Sequence, residues 1–255
     1  FVPRNFYGIK AATGNINWSW HSNKNETYLY NEEKIDQIID NLSKQPLKIN
    51  EINKTTKKKY APQLYDLTEL QRDANKLYGF SAKETLSIMQ DLYEYHKVLT
   101  YPRTDSRYLT DDIVPTLKER LEASRGGYYD HIINKILANP IKKQAHFVNN
   151  SKVSDHHAII PTEQPAMLGS FTDKELKIYE LVLKRFLAVL LPPYLYEQTV
   201  IKASINQERF IARGKIEKQI GWKEVYGQIE DEDSDDQSLP SLKLNQTLTV
   251  NELTK

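Results

Sequence analysis

The chain has 255 residues, 39% of them hydrophobic, with 16 Tyr, 7 Phe, 3 Trp and no Cys, and its formal net charge is +1. That much apolar material is enough for a packed core and excludes a disordered protein. The lack of Cys excludes disulfides, thiolate metal sites and a thiol nucleophile. No apolar run approaches the roughly 20 residues of a membrane span, and no signal peptide opens the sequence. It begins at Phe1 rather than Met, and so reads as an excerpt of a longer protein.

In chain order, residues 1–61 alternate aromatic and polar residues in "INWSWHS", which sets Ile16, Trp18 and Trp20 on one face of a strand, and "NEEKIDQIIDNL" follows as a short amphipathic helix. "NKTTKKKY" brings Lys54, Lys57, Lys58 and Lys59, and "IKKQ" brings Lys142 and Lys143. They suit either solvated loop charges or attraction of phosphates. The middle is helical. Leu64, Leu67, Leu70, Ala74 and Leu77 fall at helix spacing and stop at Gly79, and Ser81 to Glu84 then forms a capping box that starts a helix reaching about Leu99. A second box, Thr172 to Glu175, opens a long helix that Pro192 and Pro193 terminate. Beyond "PPYLYEQ" the period returns to two: Ile201, Ala203 and Ile205 alternate, and "FIARGK", "IGWKEVYG" and "QTLTVNEL" have the pattern of further strands. Between the last two, Glu230 to Asp236 holds six acids in seven residues and reads as a solvated loop, which leaves the rest of the chain moderately basic. Strands, then helices, then strands predict an α+β protein in which a mostly helical domain, residues 62–191, is inserted into an antiparallel β domain made of residues 1–61 and 192–255.

Two stretches concentrate chemistry. "LTYPRTDSRYLT" sets Tyr101 directly before Pro102, which forces the tyrosine out of the α region and onto a connection. Only about one free tyrosine in a thousand is phenolate at pH 7, so a phenol that acts as a nucleophile needs cations near it and its target. Arg103 is two residues on, and in an extended segment i and i+2 share a side, so its planar donors can reach the phosphate the phenol attacks. The plainer alternative is a half-buried aromatic whose hydroxyl caps a helix end. The second stretch, "SDHHAIIPT", pairs His156 with His157. Adjacent side chains face different ways, so at most one histidine shares a site with Tyr101. An imidazole here suits a hydrogen bond to a phosphate or carboxylate, or a purely structural role; metal ligation lacks an i+4 partner, and the one nearby acid is Asp155.

Together "YPRTDSRYL" and, some 55 residues downstream, "DHHAIIPT" resemble the active-site signature and the histidine motif of type IA DNA topoisomerases, the latter in the form of the topoisomerase III branch. "LSIMQDLYEYHKVLT", "ELKIYELVLKRFLAVLLPP" and "FVPRNFYGIKA" resemble the helix before the nucleophile, the helix closing its domain and the first strand of the gate domain. The resemblance implies that Tyr101 attacks a backbone phosphate and is joined to the 5′ end of the cut strand, that Arg103 stabilises the transition state, and that His156 contacts the scissile region. It further implies that Gln90 touches the bound single strand and that Asp105 orients cations, with His157 and Thr162 beside the DNA and Thr104 and Ser106 confined to backbone contacts. The activity so implied is ATP-independent cleavage, strand passage, religation and decatenation of DNA in the bacterial cytoplasm, at the nucleoid. Mg²⁺ is expected on an acidic cluster of an upstream Toprim domain of the same parent chain, which this sequence lacks; no metal site is expected here, and "EDEDSDD" is not a substitute. A chain so truncated is expected to be inactive alone. The alternatives are a DNA-binding clamp module without chemistry and an unrelated structural protein with a tyrosine-rich core.

Overall fold

In the computed structural model, residues 4–227 and 237–255 are described; the acidic run from Glu230 to Asp236 lies outside them. The protein is α+β and divides into two compact units, one holding residues 4–58, 195–219 and 237–255, the other 59–194 and 220–227.

The first unit is a seven-stranded sheet. Strands β1 (Lys10–Thr13) and β2 (Ile16–His21) form a hairpin whose turn is made by Gly14, with φ +58, in the left-handed region that glycine adopts without steric cost. After helix α1 (Glu32–Leu42), capped by Asn31 accepting from Lys34 N at 3.0 Å, come β3 (Leu47–Lys59), β4 (Tyr194–Ile205), β5 (Glu208–Gln219), β6 (Thr247–Leu248) and β7 (Glu252–Thr254). The order across the sheet is β6-β3-β4-β5-β2-β1-β7, so the N- and C-terminal parts of the chain share one sheet. The period-two pattern decides which face is buried: Ile16, Trp18, Trp20, Ile201, Ala203, Ile205 and Phe210 all point into a core that Ile35 and Leu42 of α1 also enter. The indole N–H groups stay paired, Trp18 Nε1 donating to Thr13 Oγ1 at 2.8 Å and Trp20 Nε1 to Glu208 Oε2 at 2.6 Å. The lysines of "NKTTKKK" extend β3 as exposed strand residues rather than lying on a loop, because a strand at this position needs only its first half, Leu47 and Ile49, in the core. The expected strand "QTLTVNEL" is split into β6 and β7, which pair at the two edges of the sheet.

The second unit is built on helices. Helix α2 (Leu67–Tyr78) starts at Asp66, which accepts from Glu69 N at 2.7 Å, and ends at Gly79 in the αL conformation, φ +72. Helix α3 (Ala82–Gln90) begins at Ser81, whose hydroxyl accepts from Glu84 N at 3.1 Å. It does not run to Leu99. The backbone widens into a π turn over Asp91–Tyr95, closed by His96 N donating to Asp91 O at 3.0 Å, and Lys97 then takes φ +58 and ends the helix. Helices α4 (Leu117–Ala123) and α5 (Asp130–Leu137) follow, and α6 (Asp173–Leu190) packs on α2, α3 and α5. The capping box at Thr172 and Glu175 is complete on both sides, and Ile178, Tyr179, Val182, Phe186, Leu187 and Val189 of α6 are buried. "IGWKEVYG" is a 3₁₀ helix, Gly221–Tyr226, and not a strand. Gly221 takes φ +52, Trp222 N donates to Pro192 O at 2.9 Å and Trp222 Nε1 to Lys59 O at 2.9 Å, so these residues fold onto the helical unit although their alternation suited the sheet. Among the described residues, no helix is long and apolar enough to cross a membrane.

Candidate active site

The site is assembled by two connections of the helical unit zipped together. Leu99 bridges Pro161 antiparallel, Thr100 N donates to Ile160 O at 3.0 Å and Thr162 N to Val98 O at 3.0 Å, and farther along the first connection Tyr108 O accepts from Ala158 N at 2.9 Å. Backbone pairing of this kind brings together residues some 55 positions apart. Within "YPRTDS", Pro102, Thr104 and Ser106 are buried while Arg103 and Asp105 are exposed and Tyr101 is half-buried. Extended backbone alternates its side chains, so Tyr101, Arg103 and Asp105 share the outer side. The inner side is anchored: Thr104 Oγ1 donates to His156 O at 2.9 Å and Ser106 Oγ to Lys152 O at 2.8 Å.

Among the described residues, Tyr101 has two ring neighbours. His156 lies 4.3 Å away centroid to centroid, tilted by 37°, and Tyr93 meets it edge-on at 5.6 Å and 80°. The Tyr101 hydroxyl makes no hydrogen bond among the described residues. Arg103 is likewise without an ion pair or hydrogen bond among them, and this sets it apart. Every other arginine of the helical unit is engaged by a carboxylate: Arg72 by Glu69, Arg107 by Asp66 and Glu69, Arg120 by Glu163, Arg125 by Glu122 and Arg185 by Asp73.

The remaining expected site residues divide. Asp105 sits on the outer side and accepts from Ser154 Oγ at 3.3 Å, so it is on the same surface as Arg103. His157 turns inward, its Nδ1 2.7 Å from the Ala158 carbonyl, and burial pushes its imidazole below the usual range. The structure therefore puts His156, and not His157, beside Tyr101. Thr162 is committed to the fold, its hydroxyl donating to Lys97 O at 2.6 Å. Gln90 ends α3, half-exposed, with no side-chain hydrogen bond among the described residues. No hydrogen bond ties it to Tyr101, Arg103 or His156 there.

Two residues packed against the candidate site escaped sequence reasoning. Tyr93 left no local signal, since its contact with Tyr101 depends on the π turn. Arg120 did leave one: it lies between Leu117, Leu121 and Ser124 on the buried face of α4, where a lone cation has to be there for a partner. It donates through Nη1 to Pro161 O at 2.9 Å and pairs through Nη2 with Glu163 at 2.8 Å, and so supports the histidine connection from below. Arg120→Ala is expected to lower the stability of the helical unit by about 2–3 kcal/mol, because it leaves a buried carbonyl and a carboxylate unpaired. Thermal unfolding of the purified chain measures it.

A phenol with no hydrogen bond and a guanidinium with no ion pair among the described residues thus lie on one side of an extended loop, with an imidazole against the phenol ring. The DNA topoisomerase family matches residues 1–255, and the chain belongs to that family, in its type IA class. Among its relatives, DNA topoisomerase 3 of Bacillus cereus (strain ZK / E33L) is 54% identical over 256 residues, which cover 98% of this chain and 35% of the relative. DNA topoisomerase 3 of Bacillus subtilis (strain 168) is 50% identical over 260 residues, covering 100% of this chain and 36% of the relative. Full-length topoisomerase I from Thermotoga maritima shares the fold, with a TM-score of 0.68 at 24% identity, over 100% of this chain and 42% of that structure. The chain thus spans little more than a third of the length of the curated relatives it matches.

Proposed function

We propose that this chain is the gate and nucleophile-bearing part of a bacterial DNA topoisomerase 3, which cuts one DNA strand, lets another through and reseals it. The observation that carries this reading is the pair of unengaged groups on one loop face, the Tyr101 hydroxyl and the Arg103 guanidinium. A hydroxyl used by the fold would be hydrogen-bonded, and an arginine used by the fold would be paired like the other five of the unit.

The step follows from these groups. The Tyr101 oxygen attacks the phosphorus of a backbone phosphodiester and loses its proton, the bond from phosphorus to the 3′ oxygen breaks, and that oxygen leaves as a hydroxyl after taking up a proton. The 5′ end is left on Tyr101 as a phosphotyrosine diester. Resealing is the reverse attack by the 3′ hydroxyl. One phosphodiester replaces another, so the bond energy is kept and ATP is not needed. Arg103 supplies two planar donors to the nonbridging oxygens as charge builds on them, and His156 holds the phenol ring and offers an imidazole to the scissile region. Single-stranded DNA suits a surface that joins cations to aromatic rings.

The Mg²⁺ that the family uses does not fit the described residues, among which no three His, Cys, Asp or Glu side chains converge. We place its ligands, with the rest of the acid–base machinery, in a Toprim domain carried by a longer parent chain. The 255-residue chain alone is accordingly expected to bind single-stranded oligonucleotide in a salt-sensitive way but to leave supercoiled plasmid unchanged when Mg²⁺ is added. Gel analysis of plasmid topoisomers checks this; efficient relaxation by the purified chain would place the whole metal-dependent machinery inside it. The clamp reading is separated by the full-length enzyme, which on that reading forms no covalent adduct with a single-stranded oligonucleotide.

A further inference from the structure

We propose that Tyr93 is a positioning residue for the nucleophile: the π turn presents its ring to Tyr101 and so fixes the direction in which the Tyr101 hydroxyl points. The inference rests on the nucleophile reading of Tyr101 and goes beyond it to a residue outside both sequence motifs. An α-helix turns about 100° per residue, so a single extra residue in one turn re-aims every side chain beyond it. The bond from His96 N to Asp91 O spans five residues and inserts that extra residue just before the nucleophile's connection. Leu92 remains fully buried and its carbonyl accepts from Val98 N at 3.0 Å, which ties the turn to the start of the Tyr101 connection. Tyr93, next to it, is left half-exposed with its ring edge-on to Tyr101 at 5.6 Å.

The Tyr101 ring therefore has aromatic neighbours in Tyr93 and His156, whereas its oxygen has no partner among the described residues. The oxygen lies on the χ2 axis, so only a rotation about χ1 swings it away, and that rotation carries the ring out of its contacts with Tyr93 and His156. The phenol is held by its carbon face and edge, and its reactive atom stays unengaged, which is what near-attack placement requires. The Tyr93 hydroxyl has no hydrogen bond among the described residues either, so the ring, and not the oxygen, makes the contact.

The test uses the full-length enzyme and four variants, Tyr93→Phe, Tyr93→Leu, Tyr93→Gln and Tyr101→Phe. The readouts are the single-turnover rate of covalent adduct formation at saturating single-stranded oligonucleotide and, separately, oligonucleotide affinity by fluorescence anisotropy. An edge-on aromatic pair is worth a rate factor of roughly three to ten. Tyr93→Phe is expected within twofold of the parent. Tyr93→Leu and Tyr93→Gln are expected to cleave about five- to tenfold more slowly with affinity changed less than twofold. Parental rates in both non-aromatic variants, a Phe variant as slow as the Leu variant, or a loss confined to affinity each overturns the proposal. So does a melting temperature that collapses in all the Tyr93 variants, since Tyr93 would then be a fold residue. If Tyr101→Phe still forms the adduct, the nucleophile reading has failed; if it is dead while Tyr93→Leu is unimpaired, only this inference has.

Discussion

Tyr101→Phe in the full-length enzyme is expected to abolish both the 5′ covalent adduct and plasmid relaxation, while the same substitution in the 255-residue chain leaves its melting temperature nearly unchanged. The two halves of this result have one cause. A buried, hydrogen-bonded tyrosine hydroxyl contributes on the order of 1 kcal/mol to stability, because its removal strands a partner. The Tyr101 hydroxyl strands nothing among the described residues, and its ring contacts with His156 and Tyr93 survive in phenylalanine. On the proposed reading the chemistry has no such reserve, since the atom removed is the one that would form the bond to phosphorus. Adduct trapping on a labelled oligonucleotide and thermal unfolding give the two readouts. A full-length Tyr101→Phe enzyme that still forms the adduct would make "YPRTDSR" a structural connection, and a drop of several degrees in the chain's melting temperature would show the hydroxyl to serve the fold.

The parts of the molecule legible in its sequence are those set by local rules. Trp18 and Trp20 alternate with polar residues, and they are buried in the sheet core. Gly79 follows a run at helix spacing, and it is the αL cap of α2; Thr172 and Glu175 sit three apart before an apolar run, and both halves of their box are formed. The layout of the Tyr101 loop was legible too, since Pro102 forces extended backbone and extended backbone puts Tyr101 and Arg103 on one side. What was not legible depends on distant partners. The helix after Ser81 stops short because a π turn intervenes, and an extra residue in a turn leaves no trace in composition. "IGWKEVYG" has strand alternation, yet Trp222 finds its acceptors at Pro192 and Lys59, far off in sequence. The meeting of Tyr101 with His156 rests on the pairing of Leu99 with Pro161, which periodicity cannot announce; only the resemblance to a family joined the two stretches in advance.

Arg103→Ala is expected to slow DNA cleavage by the full-length enzyme about 10²- to 10³-fold, the usual consequence of removing one preorganised donor from a site where negative charge builds up. The reason to single out this arginine is what it does not do. Arg72, Arg107, Arg120, Arg125 and Arg185 each have a carboxylate within ion-pair distance, which offsets the charge they could offer a ligand. Arg103 is exposed, unpaired among the described residues, and on the same side of its strand-like segment as Tyr101. A guanidinium left unneutralised beside a nucleophile keeps its full charge for a phosphate, and its planar pair of N–H groups matches two nonbridging oxygens. Arg103→Lys keeps the charge but loses the paired geometry, so it is expected to recover part of the rate. Neither variant should shift the melting temperature of the chain, because no fold contact is lost. The measurement is the single-turnover cleavage rate at saturating oligonucleotide, compared among Arg, Lys and Ala. An alanine variant within tenfold of the parent would show that transition-state charge is met by groups outside this loop, and the unpaired guanidinium of Arg103 would then be a binding contact for the strand rather than part of the reaction.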